Sequence, residues 1–241
     1  MIRIQTLFLT VVLLVLQACS DGGHTPLDLD SNDPMLSGTE ITLDFEEFAA
    51  GDTITGSRGV TVTLTGAGAT CAEAVIAFDS EVPHGNGDDD LDLGTPNEAF
   101  GGPGVGRGGR SGPFRNDRPL GRLMVIQEDP DRPDANPDPV DDCDTGGTVA
   151  LDFAGLSAGG VMVGVISVLD VDDQAEADGT TFRLFGAGNV LLREIHPPVT
   201  GANGVAAVNL GPTAGVLRLD VDQNESVAVS GVIFAVPDST S

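Results

Sequence analysis

From residue 40 onward the chain alternates apolar and polar side chains with a period of two. Val60-Thr61-Val62-Thr63-Leu64 and Val216-Leu217-Arg218-Leu219-Asp220-Val221 show the pattern in full. Such alternation places successive side chains on opposite faces of an extended strand. Short runs rich in Val, Ile, Thr, Leu and Phe recur at 41–45, 60–64, 74–78, 123–127, 148–153, 161–171, 181–185, 190–195, 205–210, 216–221 and 227–236, with Gly, Asn, Asp or Pro between them. No segment beyond residue 40 sustains a helical period. About ten strands at this spacing predict an all-β fold, a single jelly-roll-like β-sandwich over residues 40–236 followed by a short tail at 237–241. Gly186-Ala187-Gly188-Asn189 reads as a hairpin turn between two of the runs. Residues 85–121 break the pattern as one long loop, Gly-rich and acidic at its start; so long a loop in a compact domain is functional or mobile.

Ahead of the strands lie two segments of different character. Residues 7–16 are apolar and follow a single Arg3. That stretch is shorter than the ~20 residues a membrane-spanning helix needs and has the length of a secretory signal, which is assigned to residues 1–18. Residues 19–39 are polar, rich in Asp, Gly, Ser and Pro, and read as a flexible tether. At the junction, Leu16-Gln17-Ala18-Cys19 resembles the lipobox of bacterial lipoproteins, with Gln17 an uncommon residue at its position. The resemblance implies acylation of Cys19 (palmitate among the chains), cleavage before it, and stable attachment to a membrane. Ser20 in the next position implies the outer membrane, on either its periplasmic or its surface face.

Charge narrows the partners. There are 37 acidic residues against 11 basic ones, all of them Arg, for a formal charge of −26. Removing residues 1–18 takes away one Arg and no acid, so the exported part carries all of this excess. A phosphate backbone would be repelled, which excludes nucleic acid as a partner. The preference for Asp and the absence of Lys resemble proteins of halophilic or marine bacteria, whose surfaces are screened by salt. Cys71 and Cys143 remain after Cys19. An even pair in an oxidising compartment predicts a disulfide, and closing so long a loop stabilises a fold by about 4 kcal/mol in the chain-entropy treatment.

The residues Leu43-Asp44-Phe45-Glu46-Glu47-Phe48-Ala49-Ala50-Gly51 and the stretch from Phe78-Asp79-Ser80-Glu81-Val82-Pro83 to Asp92-Leu93-Gly94-Thr95-Pro96-Asn97 are similar to exported bacterial surface domains found in sorting-tag and choice-of-anchor proteins. The resemblance covers about residues 40–236. It implies a β-sandwich in the cell envelope and no particular reaction. The Asp88-Asp89-Asp90 run departs from the usual pattern, and a C-terminal sorting tag is lacking.

Three acidic clusters are candidates for Ca²⁺, which takes six to eight oxygen ligands at about 2.3–2.6 Å. The first holds Asp88, Asp90 and Asp92. The second runs from Glu128 through Asp129 and Asp131 to Asp142, and the third contains Asp170, Asp172, Asp173 and Glu176. Counted from Asp88, Leu93 and Ala99 stand where an EF-hand needs Gly and Glu, so the first cluster is no EF-hand. Loops after strands gather at the ends of a sandwich, so two clusters could share one ion; a merely solvated acidic surface is the alternative. The run Gly104-Val105-Gly106-Arg107-Gly108-Gly109-Arg110-Ser111 fits nucleotide-binding patterns only superficially, since Pro113 follows instead of a helix; it reads as a mobile loop. Arg107, Arg110, Arg115, Arg118 and Arg122 form the one basic stretch, suited to pairing with nearby acids or to an anionic polysaccharide or head group. His24, His84 and His196 are isolated, and no catalytic set of residues emerges. Sugar-binding sites stack rings on Trp or Tyr, and this chain has neither. The sequence thus favours a non-enzymatic, lipid-anchored envelope protein acting as a surface interaction or adhesion module, with Ca²⁺ as a candidate stabilising ion set against a merely solvated acidic surface. A calcium-dependent carbohydrate-binding module is the alternative, and a polysaccharide-acting hydrolase a more distant one.

Overall fold

The computed structural model describes residues 36–83, 89–131, 142–225 and 227–238. Within them the chain is almost entirely β. Its strands are β1 (Thr39–Leu43), β2 (Gly56–Ser57), β3 (Val60–Thr65), β4 (Cys71–Asp79), β5 (Arg122–Glu128), β6 (Gly147–Asp152), β7 (Val161–Leu169), β8 (Thr181–Phe185), β9 (Leu191–Ile195), β10 (Val205–Val216), β11 (Arg218–Gln223) and β12 (Ala228–Val236). They form two antiparallel sheets. One has the order β10-β7-β12-β5-β4, with β1 also paired to β12, and the other the order β2-β3-β6-β11-β8-β9. The sheets pack as the sandwich that the period-two pattern predicts. Each run found in the sequence falls on a strand, and β10 continues beyond residue 210 through a register shift between Asn209 and Thr213.

Alternation explains the main core. Val60 and Val62 of β3, Val149 and Leu151 of β6, and Leu219 and Val221 of β11 face Met124, Ile126, Val163, Val232 and Phe234 of the other sheet. Phe153 and Phe234 meet with ring centroids 5.0 Å apart. The sheet containing β4 and β5 is covered on its outer side as well. There Ile76, Phe78, Leu123 and Val125 pack on Leu93 and Leu120, which belong to the long connection between β4 and β5. Burial on both faces is why these two strands read as continuous apolar runs.

That connection is therefore a third layer. It contains 3₁₀ turns at Asp89–Leu93, Glu98–Phe100 and Gly108–Arg110. The glycine-rich run, expected to be a loose loop, lies directly on residues 200–203. A Cβ at Gly106 would come 2.2 Å from the Ala202 carbonyl oxygen, and one at Gly108 equally close to that of Thr200. Glycine is needed here for backbone contact. One short helix, α1 (Gln174–Gly179), is an addition to the sequence reading. Six residues are too few for a helical period to show, and its signal lies in its cap.

Candidate functional site

The β4–β5 connection meets the segments after β7 and before β10 at one end of the sandwich, and buried side-chain amides join them. Asn203 sits between β9 and β10 with a φ of 64°, a left-handed conformation that Asn tolerates better than most residues. Its Nδ2 donates to the carbonyls of Asp92 at 2.5 Å and Gly94 at 2.6 Å. Its Oδ1 accepts from Asn97 Nδ2 at 2.7 Å and Asn116 Nδ2 at 3.1 Å. Its backbone N–H donates to Asp170 Oδ1 at 2.6 Å. Asn203 thereby ties the loop carrying Asp92 to the loop carrying Asp170, two residues far apart along the chain. The Val171 carbonyl accepts from the N–H groups of Thr200 and Gly201, and Thr200 Oγ1 accepts from the Val171 N–H at 2.9 Å. The loop after β7 is thus laced to the same strap.

Carboxylates converge on this hub. Asp170 is 4 % exposed and has a φ of 70°. Burial pushes its pKa well above the ordinary carboxylate value, and Asp92, Asp172 and Glu176 push it the same way. Asp92 is raised to about 7, first by burial and then by Asp142 and Asp172, against the opposing pull of the backbone N–H groups of Asp92 and Leu93. Glu176 is also raised to about 7, chiefly by burial. Asp172 shifts upward through burial and Asp173. Like charges set close around a buried carboxylate disfavour one another's ionisation, and either protons or a cation relieves this.

The three acidic clusters contribute unequally. The first supplies Asp92, while Asp90 is buried in the same 3₁₀ turn; Asp88 lies outside the described residues. The third supplies Asp170, Asp172 and Glu176. Asp173 serves the helix instead, where its Oδ1 accepts from the N–H groups of Ala175 at 2.7 Å and Glu176 at 3.1 Å and so caps α1. Glu176 Oε2 reaches back to the Asp172 N–H at 2.5 Å, much as in a capping box. The second cluster divides. Asp129 Oδ1 accepts from the Asp131 N–H at 3.0 Å in a local turn, and neither residue figures among the charges acting on Asp92 or Asp170. Asp142 does act on Asp92 and bridges to Gln127 at the end of β5. Its neighbour Cys143 forms the disulfide with Cys71, with a Cα–Cα separation of 5.3 Å, so the crosslink pins the Asp142 segment to the start of β4. Cys19 and its surroundings lie outside the described residues.

Sequence reasoning missed the three asparagines. Asn203-Gly204 is a turn signal that could have drawn attention, and Asn97 caps the 3₁₀ turn at Glu98–Phe100 through its Oδ1; nothing in the local sequence of Asn116 marks it. Asn116 is 1 % exposed, and its Oδ1 is a buried acceptor with no protein partner among the described residues. Its Nδ2 donates to Asn203 Oδ1 and to the Gly94 carbonyl at 3.1 Å, which fixes the sense of the amide. An orphaned buried oxygen calls for an electropositive partner.

The donor set is hard oxygen throughout, which suits Ca²⁺ or Mg²⁺ and not Zn²⁺. Among the described residues no group of three or more His, Cys, Asp or Glu side chains is placed to hold a metal ion. His196 is engaged elsewhere, its Nδ1 lying 2.8 Å from the Thr180 carbonyl oxygen. Much of the basic stretch pairs within the molecule, as its sequence suggested: Arg110 with Glu98, Arg115 with Asp117 at 2.6 Å and Arg122 with Asp79 at 2.5 Å. Among the described residues no helix is long and apolar enough to cross a membrane.

No family model and no curated protein matches the chain. Two solved structures show a distant likeness. One is the lectin domain of lectinolysin complexed with Lewis b antigen and the other a His 62 mutant of that domain with the same ligand, at 10 % and 12 % identity. Each has a TM-score of 0.28 and covers 39 % of this chain and 67 % of the other.

Proposed function

We propose that this protein is a non-enzymatic, lipid-anchored cell-envelope module for surface interaction, and that its acidic crevice takes a divalent cation, Ca²⁺ in preference to Mg²⁺. The convergence of Asp92, Asp170, Asp172 and Asp142, from three separate segments, on one partly buried place carries this reading. Carboxylates that raise one another's pKa around a buried Asp170 cost the fold free energy unless a positive charge offsets them. Asp92 and Asp170 would supply the strongest ligands. Asn116 Oδ1, backbone carbonyls and water are the kinds of oxygen with which Ca²⁺ completes its coordination, and its tolerance of irregular geometry suits a crevice without a closed cage. A small octahedral ion such as Mg²⁺ fits less well. The ion would join the β4–β5 layer to the loops after β7 and before β10. The lipobox supports anchoring through Cys19 and an outer-membrane location.

Calcium-dependent carbohydrate binding is the second reading. The observation in its favour is an apolar rim beside the crevice, where Leu91, Phe100 and Val105 are exposed and the Val105 N–H donates to the Leu91 carbonyl at 2.8 Å. Phe100, 43 % exposed, offers an aromatic face in a chain without Trp or Tyr.

Thermal unfolding of the purified protein at matched ionic strength in EDTA, Mg²⁺ or Ca²⁺ tests the cation. Ca²⁺ at 100 times its Kd adds about 2.7 kcal/mol to stability. The expected result is a Ca²⁺-selective rise in Tm that Asp170→Asn abolishes. Equal effects of Ca²⁺ and Mg²⁺ in the two proteins would sink the proposal and reduce the acids to a solvated surface.

A further inference from the structure

A concave site lies beside Asn116. It is a pocket of about 500 Å³ where the end of the β4–β5 connection crosses the start of β10, and its walls include Arg115, Arg118, Asp117, Asn116, Leu120 and Val205. The volume is within the range that accommodates small organic ligands. The Val205 N–H donates to the Phe114 carbonyl at 2.9 Å, so the connection is fastened to the edge strand of the sheet. On a protein of formal charge −26, this pocket presents two guanidiniums and one carboxylate. Arg115 meets Asp117 through Nε. A guanidinium held in this way still has the outer edge of its fork with which to bind an oxyanion through two parallel hydrogen bonds. Beside the polar side chain of Asn116, Pro113, Leu120, Val205 and Ala207 add aliphatic surface to the lining.

The pocket therefore brings guanidinium groups and aliphatic side chains into one lining of a volume that a sugar ring fits. We propose that it binds an oxyanion carried on a ring-sized organic body, a uronic acid unit of an acidic saccharide. Such a unit has a carboxylate at one edge and a C–H face that packs on aliphatic side chains. An inorganic anion would fill little of the volume and leave the aliphatic surface unused. The same chemistry is available from a sulfated sugar, so the two sources must be separated by experiment. The guanidinium groups also give an anionic chain one place to land on an otherwise repelling surface, above all where salt screens the remaining charge. This inference is independent of the cation in the crevice, although Asn116 is common to both sites.

Isothermal titration of the purified protein in EDTA, with galacturonic acid trimer, its neutral galactose counterpart and a sulfated galactose trimer as probes, tests it. EDTA leaves the crevice without a metal, so the outcome does not depend on the cation proposal. We expect saturable binding of the galacturonic acid trimer about tenfold tighter than the neutral one, and a loss of about tenfold in Arg115→Gln and in Arg118→Gln, the loss expected for one charged hydrogen-bond donor. Arg58→Gln, whose side chain pairs with Asp44 at 3.2 Å away from the pocket, should bind as the parent does. Circular dichroism of each variant separates lost binding from lost folding. Preference for the sulfated trimer, with the same sensitivity to Arg115 and Arg118, supports the pocket and assigns sulfate as its oxyanion. Equal affinity for the neutral trimer, no binding of either charged trimer at millimolar concentration, or unchanged affinity in both folded Arg variants would overturn the proposal.

Discussion

Asp92 offers the sharpest check on the electrostatics of the crevice. Its pKa rises from 3.8 in the unfolded chain to about 7 in the folded one. The folded state therefore holds a proton on this carboxyl that the unfolded state has already released. The stability this confers is complete below the unfolded value and is lost as pH rises toward and through 7. Integrating the linkage between pH 5 and pH 8 gives a loss of about 2.5 kcal/mol at 1.36 kcal/mol per pKa unit. Asp92 is half-buried, and screening by solvent brings the expected change to about 1–2 kcal/mol. For a domain of this size that is a Tm difference of roughly 3–8 °C. Asp92→Asn removes the titrating group while keeping its shape. In metal-free buffer the variant should already melt somewhat higher than the parent at pH 5, which lies above the unfolded value of 3.8, and higher still at pH 8, so its Tm should fall less steeply with pH. Differential scanning calorimetry suits a chain that has neither Trp nor Tyr. Saturating Ca²⁺ should flatten the slope of the parent, because the ion takes the place of the proton. Identical pH slopes for parent and variant without metal would refute the placement of Asp92 among carboxylates.

Three further outcomes are expected. Replacing both Cys71 and Cys143 with Ser should lower stability to denaturant by up to about 4 kcal/mol, and it should also weaken the Ca²⁺ response because Asp142 loses its tie to β4; an unchanged Ca²⁺ response would remove Asp142 from the site. Gly106→Val drives a side chain into the Ala202 carbonyl and should cost about 1–3 kcal/mol in urea unfolding, whereas the same change at Gly112, with nothing near its Cβ but a φ of 83°, should cost less. Asp173→Ala removes the cap of α1 and should cost about 1 kcal/mol, read in the same unfolding curves; a loss of Ca²⁺ binding greater than that of Asp170→Asn would show that Asp173 is a ligand after all.

The strands were legible because burial in a sandwich writes itself into the sequence with a period of two, as in Val60 to Thr65 and Arg218 to Gln223. The disulfide was legible for a different reason: only two cysteines remain beyond Cys19. The resemblance of Leu16 to Cys19 to a lipobox rests on sequence alone, since these residues lie outside the described ones. Three features were beyond reach. Helix α1 is too short for a period and depends on one capping Asp. The glycines at 104–109 looked like freedom and turned out to serve close packing on residues 200–203, a contact that no local pattern encodes. The acidic crevice needed the tertiary structure most of all. With 37 acids in the chain, each cluster looked alike. Which carboxylates meet was decided by the sheet order, which brings the end of β7 beside the β4–β5 layer, and by Asn203, whose hydrogen bonds hold Asp92 and Asp170 together. Sequence determined the strands, the crosslink and the charge; the tertiary fold selected which charges share a low-dielectric space, because that depends on distances between residues far apart along the chain.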